Sequence, residues 1–267
     1  MRGIMRGLAA LLLGAGFLAG GPSDAWSETE VDVALVLAVD VSLSMEPEEQ
    51  DLQRQGFVEA FQSPEVHDAI RKGVLGRIAV LYIEWAGAAH QEVVVPWTVI
   101  EQPRDGVDFA ARLSRSPTRR VGYTSISGAI DFGRGQFRDG AIRSLRQVID
   151  ISGDGANNQG RNVTSARDDA VAQGITVNGL PIMLKRPDSF WDIEDLDLYF
   201  RDCVIGGLGA FMVPVREKHH FAEAIKAKIV REIAEEMPQR ALVQPVQAEP
   251  SVHCLAGENR RRQRMGN

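Results

Sequence analysis

The chain has 267 residues, of which 44% are hydrophobic and 25% are charged. This composition is typical of a globular protein, and the length allows one sizeable hydrophobic core. The formal net charge of -6 at pH 7 argues against a nucleic-acid-binding surface, so we expect no nucleic-acid partner.

Residues 1–27 have the three-part layout of a secretory signal peptide. Two arginines precede an apolar stretch at 7–20, and small and polar residues follow it. The apolar stretch is shorter than the roughly 20 residues that a membrane-spanning helix needs. We therefore predict cleavage between Ala25 and Ser27. The mature bacterial protein is expected to be periplasmic or secreted, without a stable membrane span.

The first half of the mature chain is predicted to form a strand, a helix, a hairpin and a short helix. Residues 31–39 are nearly all apolar, which is typical of a strand covered on both faces in a parallel sheet. A proline and several glutamates suit the first turn of a helix at 45–62. Strands at 76–86 and 90–100 are separated by only a few residues, so they should pair antiparallel. The short helix is predicted at 105–113.

The second half alternates helices and strands, which predicts an α/β fold with a mostly parallel sheet. The predicted helices are at 124–137, 162–173, 192–200 and 217–236, and the predicted strands are at 146–152, 174–182 and 209–215. One domain is therefore expected over residues 28–237. Residues 238–267 are polar and contain prolines, so we predict a disordered tail there.

Polar side chains follow several of the predicted strands. Asp40 ends the first strand, and Ser42 and Ser44 follow it. Asp154 follows a later strand, and Thr124 begins a helix. Ligands of open α/β sheets bind beyond the carboxyl ends of the strands, where these loops should meet. Two carboxylates and three hydroxyls suit a hard divalent cation, whereas zinc would favour His or Cys.

The segment DVSLS at residues 40–44, with Thr124 and Asp154, resembles the metal-ion-dependent adhesion site (MIDAS) of von Willebrand factor A (vWA) domains. The resemblance extends over residues 31–236 and includes exported bacterial vWA-like proteins of unknown function. It implies a Rossmann-like three-layer α/β/α sandwich. It also implies that the mostly parallel central sheet has one antiparallel edge strand.

The same resemblance implies a cofactor and a partner. The cation would be Mg²⁺, with Mn²⁺ or Ca²⁺ as alternatives, and the partner would be a protein that binds through an Asp or Glu side chain. In the family, the serines and the threonine typically contact the metal, and the aspartates bind it directly or through water. The residues that match this motif are Asp40, Ser42, Ser44, Thr124 and Asp154.

Other interpretations of these residues stay open. Ser42 and Ser44 could cap the following helix, and Ser125 could take the place of Thr124. The chain could also be a metal-dependent hydrolase or a structural interaction domain with a non-functional metal site. A haloacid-dehalogenase-like phosphatase is disfavoured because it needs a second acid where Ser42 stands. The sequence lacks the G-x-S-x-G motif of serine hydrolases, so we predict a binding module and not an enzyme.

Cys203 and Cys254 are the two cysteines of the chain. An oxidising compartment would permit a bridge between them, but two unpaired thiols fit the sequence equally well. His219 and His220 are adjacent at the start of the last predicted helix. We expect them to be surface residues and not metal ligands.

Overall fold

The computed structural model describes residues 29–140, 142–185, 193–234 and 252–265, so the predicted signal peptide at 1–27 lies outside the described residues. The strands are β1 Thr29–Asp40, β2 Ile78–Trp85, β3 Gln91–Ile100, β4 Ile142–Gly153 and β5 Ile175–Pro181. The helices are α1 Pro47–Gln62, α2 Pro64–Arg71, α3 Pro103–Arg115, α4 Ile126–Gln136, α5 Val163–Val171, α6 Leu196–Tyr199, α7 Phe221–Ala234 and α8 Ala256–Met265. Within this part of the chain, no helix is both long and apolar enough to cross a membrane.

β1 lies at the centre of a five-stranded sheet in the order β3-β2-β1-β4-β5. It pairs in parallel with β2 and β4, and β4 pairs in parallel with β5, whereas β2 and β3 form an antiparallel pair. β1 is buried from Val31 to Asp40 because helices cover both faces of the sheet. The prediction of a mostly parallel sheet with one antiparallel edge strand is confirmed.

Alternate side chains of β1 belong to different hydrophobic cores, as the geometry of a strand requires. Leu35 and Leu37 pack in one core with aromatic side chains of α1, α3 and α7. Val36 and Ala38 pack in the other core with apolar side chains of α4 and α5. The sheet therefore lies between two helical layers, which is the predicted three-layer sandwich.

Two elements differ from the sequence-based prediction. α1 ends at Gln62 as predicted, but the sequence analysis does not predict α2, whose first turn donates a hydrogen bond to the hydroxyl of Ser63. Residues 209–215 do not form a regular strand. They pair in parallel with the β5 side of the sheet through isolated bridges at Met212 and Val215. Pro214 between them has no N–H to donate to a continuous ladder.

The prediction of a disordered tail from residue 238 is wrong for the part of the tail that the structure describes. α8 lies there, and a disulfide joins Cys254 to Cys203, with 5.5 Å between the two Cα atoms. The Asn157 side chain donates a hydrogen bond of 2.7 Å to Glu258 of α8. The sequence does not predict this helix because the segment is polar and has no large apolar face. A covalent bond and specific polar contacts hold the helix in place instead.

Buried ion pairs attach α1 and α7 to the sheet. Lys228 of α7 lies 2.6 Å from Asp150 of β4 and also contacts Glu232, and all three side chains are buried. Burial raises the pKa of Glu232, and the Lys228 charge opposes that shift. Arg54 of α1 pairs with Glu84 of β2, and burial raises the pKa of Glu84 in the same way.

Candidate metal centre

The first loop of the site follows β1, and backbone hydrogen bonds fix its path. The Val41 N–H donates to the last carbonyl of β2 at 2.9 Å, and the Val121 N–H donates to the Val41 carbonyl at 3.0 Å. The Leu43 N–H donates in turn to the Val121 carbonyl at 3.0 Å. Ser42 therefore lies beside the segment that leads to Thr124.

Four of the five predicted ligands form a continuous hydrogen-bonded group. The Ser42 N–H donates to Asp40 Oδ1 at 2.7 Å. The Ser42 and Ser44 hydroxyl oxygens are 2.7 Å apart, and the Ser44 hydroxyl donates to Asp154 Oδ1 at 2.6 Å. Asp40 and Ser42 are buried, whereas Ser44 is exposed. The group thus extends from the interior to the surface at the carboxyl edge of the sheet.

Thr124, the fifth predicted ligand, reaches the same place through the loop after β4. Its N–H donates to Asn158 Oδ1 at 2.9 Å, and its carbonyl accepts from the Asn158 N–H at 2.9 Å. A Cβ atom on Gly155 would lie 3.9 Å from the Thr124 hydroxyl oxygen, which places that hydroxyl near the neighbour of Asp154. The Ser125 hydroxyl instead caps α4 by accepting an N–H from its first turn. Of these two neighbouring hydroxyls, that of Thr124 therefore lies beside the loop that carries Asp154.

The alternative in which the two serines only cap the next helix is wrong. The N-cap of α1 is Glu46, which forms a reciprocal capping box with Glu49. Glu49 Oε2 accepts a hydrogen bond from the Glu46 N–H at 2.8 Å. The hydroxyls of Ser42 and Ser44 are directed to each other and to the acidic side chains of the site.

Two neighbouring carboxylates give this site a strong preference for positive charge. Burial raises the pKa of Asp40 well above its ordinary range, and the negative charge of Asp154 adds to the shift. Hydrogen bonds from Ser42 and from the Asp154 backbone oppose it. Asp40 Oδ2 is buried and has no hydrogen-bond partner among the described residues. A divalent cation would neutralise both carboxylates, and the hydroxyl and carboxylate oxygens are ligands that Mg²⁺, Mn²⁺ and Ca²⁺ prefer.

Two basic side chains that the sequence analysis does not identify hold the loop after β1. Lys185 Nζ donates to the Ser44 carbonyl at 2.6 Å and lies 2.6 Å from Glu49 Oε2. Arg120 donates to two carbonyls of residues 43–45 at 2.9 and 2.8 Å. Lys185 is 141 positions away from Ser44 along the chain, so no local sequence pattern could reveal their contact.

Asn157 and Asn158 connect the metal-site loops to the C-terminal helix. Asn157 Oδ1 accepts from the Ser127 N–H at 3.0 Å, and its Nδ2 donates to Glu258 at 2.7 Å. Arg261 of α8 donates to the Asn158 carbonyl at 3.2 Å. The sequence offers a signal here, because both asparagines lie in the same polar segment as Asp154, but their role requires the structure.

A second group of possible metal ligands lies outside this site. Glu217, His219 and His220 place one ligand atom each within 4.8 Å of one another. His219 Nε2 is 3.2 Å from a carboxylate oxygen of Glu217, and all three residues are exposed. This exposure confirms the prediction that the two histidines are surface residues.

One protein family, described as "Protein of unknown function (DUF1194)", matches residues 30–237 of the chain. No curated protein matches it.

Several solved structures share the fold. Proximal thread matrix protein 1 from the mussel byssus is 12% identical with a TM-score of 0.56, and the match covers 78% of this chain and 49% of that one. The pilus adhesin SpaC from Lactobacillus rhamnosus GG is 14% identical with a TM-score of 0.55, and the match covers 76% of this chain and 30% of that one. A von Willebrand factor type A protein from Catenulispora acidiphila is 14% identical with a TM-score of 0.54, and the match covers 77% of this chain and 44% of that one. The chain spans half or less of each of these structures, and the likeness shows a vWA-like fold.

Proposed function

Because the chain belongs to the family described as "Protein of unknown function (DUF1194)" and has a vWA-like fold, we propose that it is an exported protein-binding module. In this proposal the module binds a divalent cation and uses it to engage an acidic group of a partner protein. The ligands are the side chains of Asp40, Ser42, Ser44, Thr124 and Asp154.

The observation that carries the proposal is the arrangement around Asp40. Its buried Oδ2 atom has no hydrogen-bond partner among the described residues, and its carboxylate lies close enough to Asp154 for the two charges to interact. Burying two neighbouring carboxylates that are only partly compensated by hydrogen bonds is costly, and a bound cation would lower that cost. The hydroxyls of Ser42 and Ser44 supply further oxygen ligands at the same place.

Oxygen ligands favour Mg²⁺, with Mn²⁺ and Ca²⁺ as alternatives. One structure of the mussel protein has zinc in its MIDAS motif. That neighbour supports divalent-cation binding in general, while the absence of His and Cys among the proposed ligands argues against zinc as the natural ion here.

The proposed partner is a protein, because the site reaches the surface at Ser44 and a divalent cation held by five side chains retains room for one more oxygen. A carboxylate of the partner would fill that position. The fold neighbour SpaC is a pilus adhesin, which agrees with an interaction role on this fold. We propose binding, and not hydrolysis, as the activity.

Export is proposed from the N-terminal sequence and from the disulfide. A bridge between Cys203 and Cys254 persists in an oxidising compartment such as the bacterial periplasm. Fractionation of cells that express the full chain should place the shortened, oxidised protein outside the cytoplasm. Recovery of the full-length chain with free thiols from the cytoplasm would contradict export.

Thermal unfolding with titrated metal tests the proposed function. A metal at a hundred times its dissociation constant stabilises the folded state by about 2.7 kcal/mol. For a domain of this size we expect a rise in Tm of about 5–11 °C, from about 2–4 °C per kcal/mol. Asp40→Asn should abolish this rise while the metal-free variant stays folded, and Asp51→Asn on the exposed side of α1 should keep it.

Two outcomes would overturn the proposal in different ways. A wild-type protein whose Tm does not respond to Mg²⁺, Mn²⁺ or Ca²⁺ would be a structural domain with a non-functional site. Metal-dependent turnover of generic phosphate or carboxylic esters that disappears in Asp40→Asn would make the protein a hydrolase.

A further inference from the structure

Lys185 places a fixed positive charge at the edge of the proposed metal site. Its ammonium group donates to the Ser44 carbonyl at 2.6 Å and lies 2.6 Å from Glu49 Oε2. It is also 3.8 Å from Asp154 Oδ2, beyond the range of a normal hydrogen bond. Glu49 is itself buried and held by the Glu46 N–H, so the anchor of the ammonium group is rigid.

We propose that Lys185 determines which ligands the site accepts, by selecting carboxylates over neutral oxygen ligands. One carboxylate oxygen of the ligand binds the metal, and the other accepts a hydrogen bond from the Lys185 ammonium group. This inference rests on the proposed function, because it assigns a second contact to the acidic group that the metal engages.

The hydrogen-bonding capacity of the ammonium group supports this role. A lysine ammonium has three N–H donors. The Ser44 carbonyl and the Glu49 carboxylate use two of them. The third is left for an oxygen atom of a ligand that approaches the ammonium group from the side of Asp154, which lies 3.8 Å away.

The surface beside Lys185 gives such a ligand access. Asp154 and Lys185 line the same cavity, which has a volume of about 220 Å³ and whose wall includes apolar side chains such as Ile193 and the charged side chains of Glu194 and Arg216. A carboxylate that enters this cavity therefore meets a proposed metal ligand and the ammonium group together.

The same geometry makes metal binding and carboxylate binding cooperative. A divalent cation next to Asp154 lies close to the Lys185 ammonium, and the two positive charges repel each other. A bound carboxylate interacts favourably with both. Lys185 should therefore weaken metal binding when no carboxylate is present and strengthen it when one is, and by linkage the metal should strengthen carboxylate binding by the same factor.

Calorimetric Mn²⁺ titrations of the mature chain in acetate or acetamide, at constant ionic strength, test this inference. In the wild type, acetate should tighten Mn²⁺ binding about tenfold relative to acetamide, equivalent to about 1.4 kcal/mol. In Lys185→Met the acetate effect should fall below about threefold, and Mn²⁺ affinity in acetamide should be equal or higher. Lys226→Met is the matched control, because Lys226 is as exposed as Lys185, forms a 3.1 Å pair with Glu65 and lies outside both groups of possible metal ligands.

If Lys185→Met does not fold, the double variant Glu49→Gln/Lys185→Met removes both charges of this ion pair and should behave as predicted for Lys185→Met. The inference is overturned if the acetate effect in the folded variant equals that of the wild type, or if wild-type Mn²⁺ affinity is the same in acetate and acetamide. Loss of Mn²⁺ binding in acetamide on removing the lysine would also overturn it. Failure of the wild type to bind Mn²⁺ at all would instead overturn the proposed function.

Discussion

Gly257 in the first turn of α8 packs so closely against the loop after β4 that even a methyl group does not fit. A Cβ atom there would lie 2.1 Å from the Asn157 carbonyl oxygen and 2.8 Å from its carbon. The carbonyl is backbone, and Asn157 is held by its N–H to Tyr199 (3.2 Å) and by Ser127 (3.0 Å). In Gly257→Ala the helix must therefore move, and not the loop.

The size of the effect follows from the contacts that this movement weakens. Restoring a separation above 3.0 Å requires a shift of about 0.9 Å (3.0 minus 2.1), which stretches the 2.7 Å bond from Asn157 to Glu258 and the 3.2 Å bond from Arg261 to the Asn158 carbonyl. Overpacking of this kind costs about 1–3 kcal/mol. For a destabilisation of about 2 kcal/mol we expect Tm to fall by about 4–8 °C.

Thermal unfolding and hydrogen exchange of residues 256–265 measure the two parts of this prediction. Gly135→Ala is the matched control, because a Cβ atom at Gly135 in α4 meets nothing within 4 Å. Glycine to alanine inside a helix stabilises by roughly 0.5–1 kcal/mol when there is space. An unchanged Tm together with unchanged exchange in α8 of Gly257→Ala would refute the described packing.

Three further predictions concern stability. The folded state raises the pKa of Glu232 above its ordinary value of 4.5, so between that pH and the raised pKa the folded protein binds more protons than the unfolded chain. Stability should therefore fall as pH rises through this window, and Glu232→Gln should flatten the dependence in urea unfolding at a series of pH values. Cys254→Ser should lower the free energy of unfolding by about 2–4 kcal/mol, and adding reductant should lower that of the wild type by the same amount. A loss of stability in the mutant without a loss in the reduced wild type would contradict a formed bridge. Arg54→Met leaves the buried Glu84 carboxylate unpaired and should cost about 3–5 kcal/mol, with partial recovery on adding Glu84→Gln; no recovery would contradict the pairing.

The sequence was sufficient to predict the sheet and the residues at its carboxyl edge. An apolar run that ends in Asp40 is buried on both faces in β1, and parallel pairing with β2 and β4 brings the following loops together. These are consequences of local pattern and of general sheet geometry. The use of the five residues as metal ligands stays a prediction.

The parts that sequence reasoning missed depend on contacts between distant positions. Lys185 is 141 positions away from Ser44 along the chain. Glu258 of α8 is 101 positions away from its partner Asn157. Composition predicted disorder for α8 because its polar residues bury little apolar area. The disulfide at Cys254 holds it in place, and two cysteines alone do not establish a bridge.

Anomalous diffraction from crystals of the mature chain grown with Mn²⁺ would test the central claim most directly. We expect a peak within about 2.0–2.6 Å of side-chain oxygens at the carboxyl edge of the sheet, surrounded by Ser42, Ser44, Thr124 and Asp154 and close to Asp40. A peak only at the exposed group of Glu217, His219 and His220, or no peak in crystals whose other side chains match the structure, would contradict it.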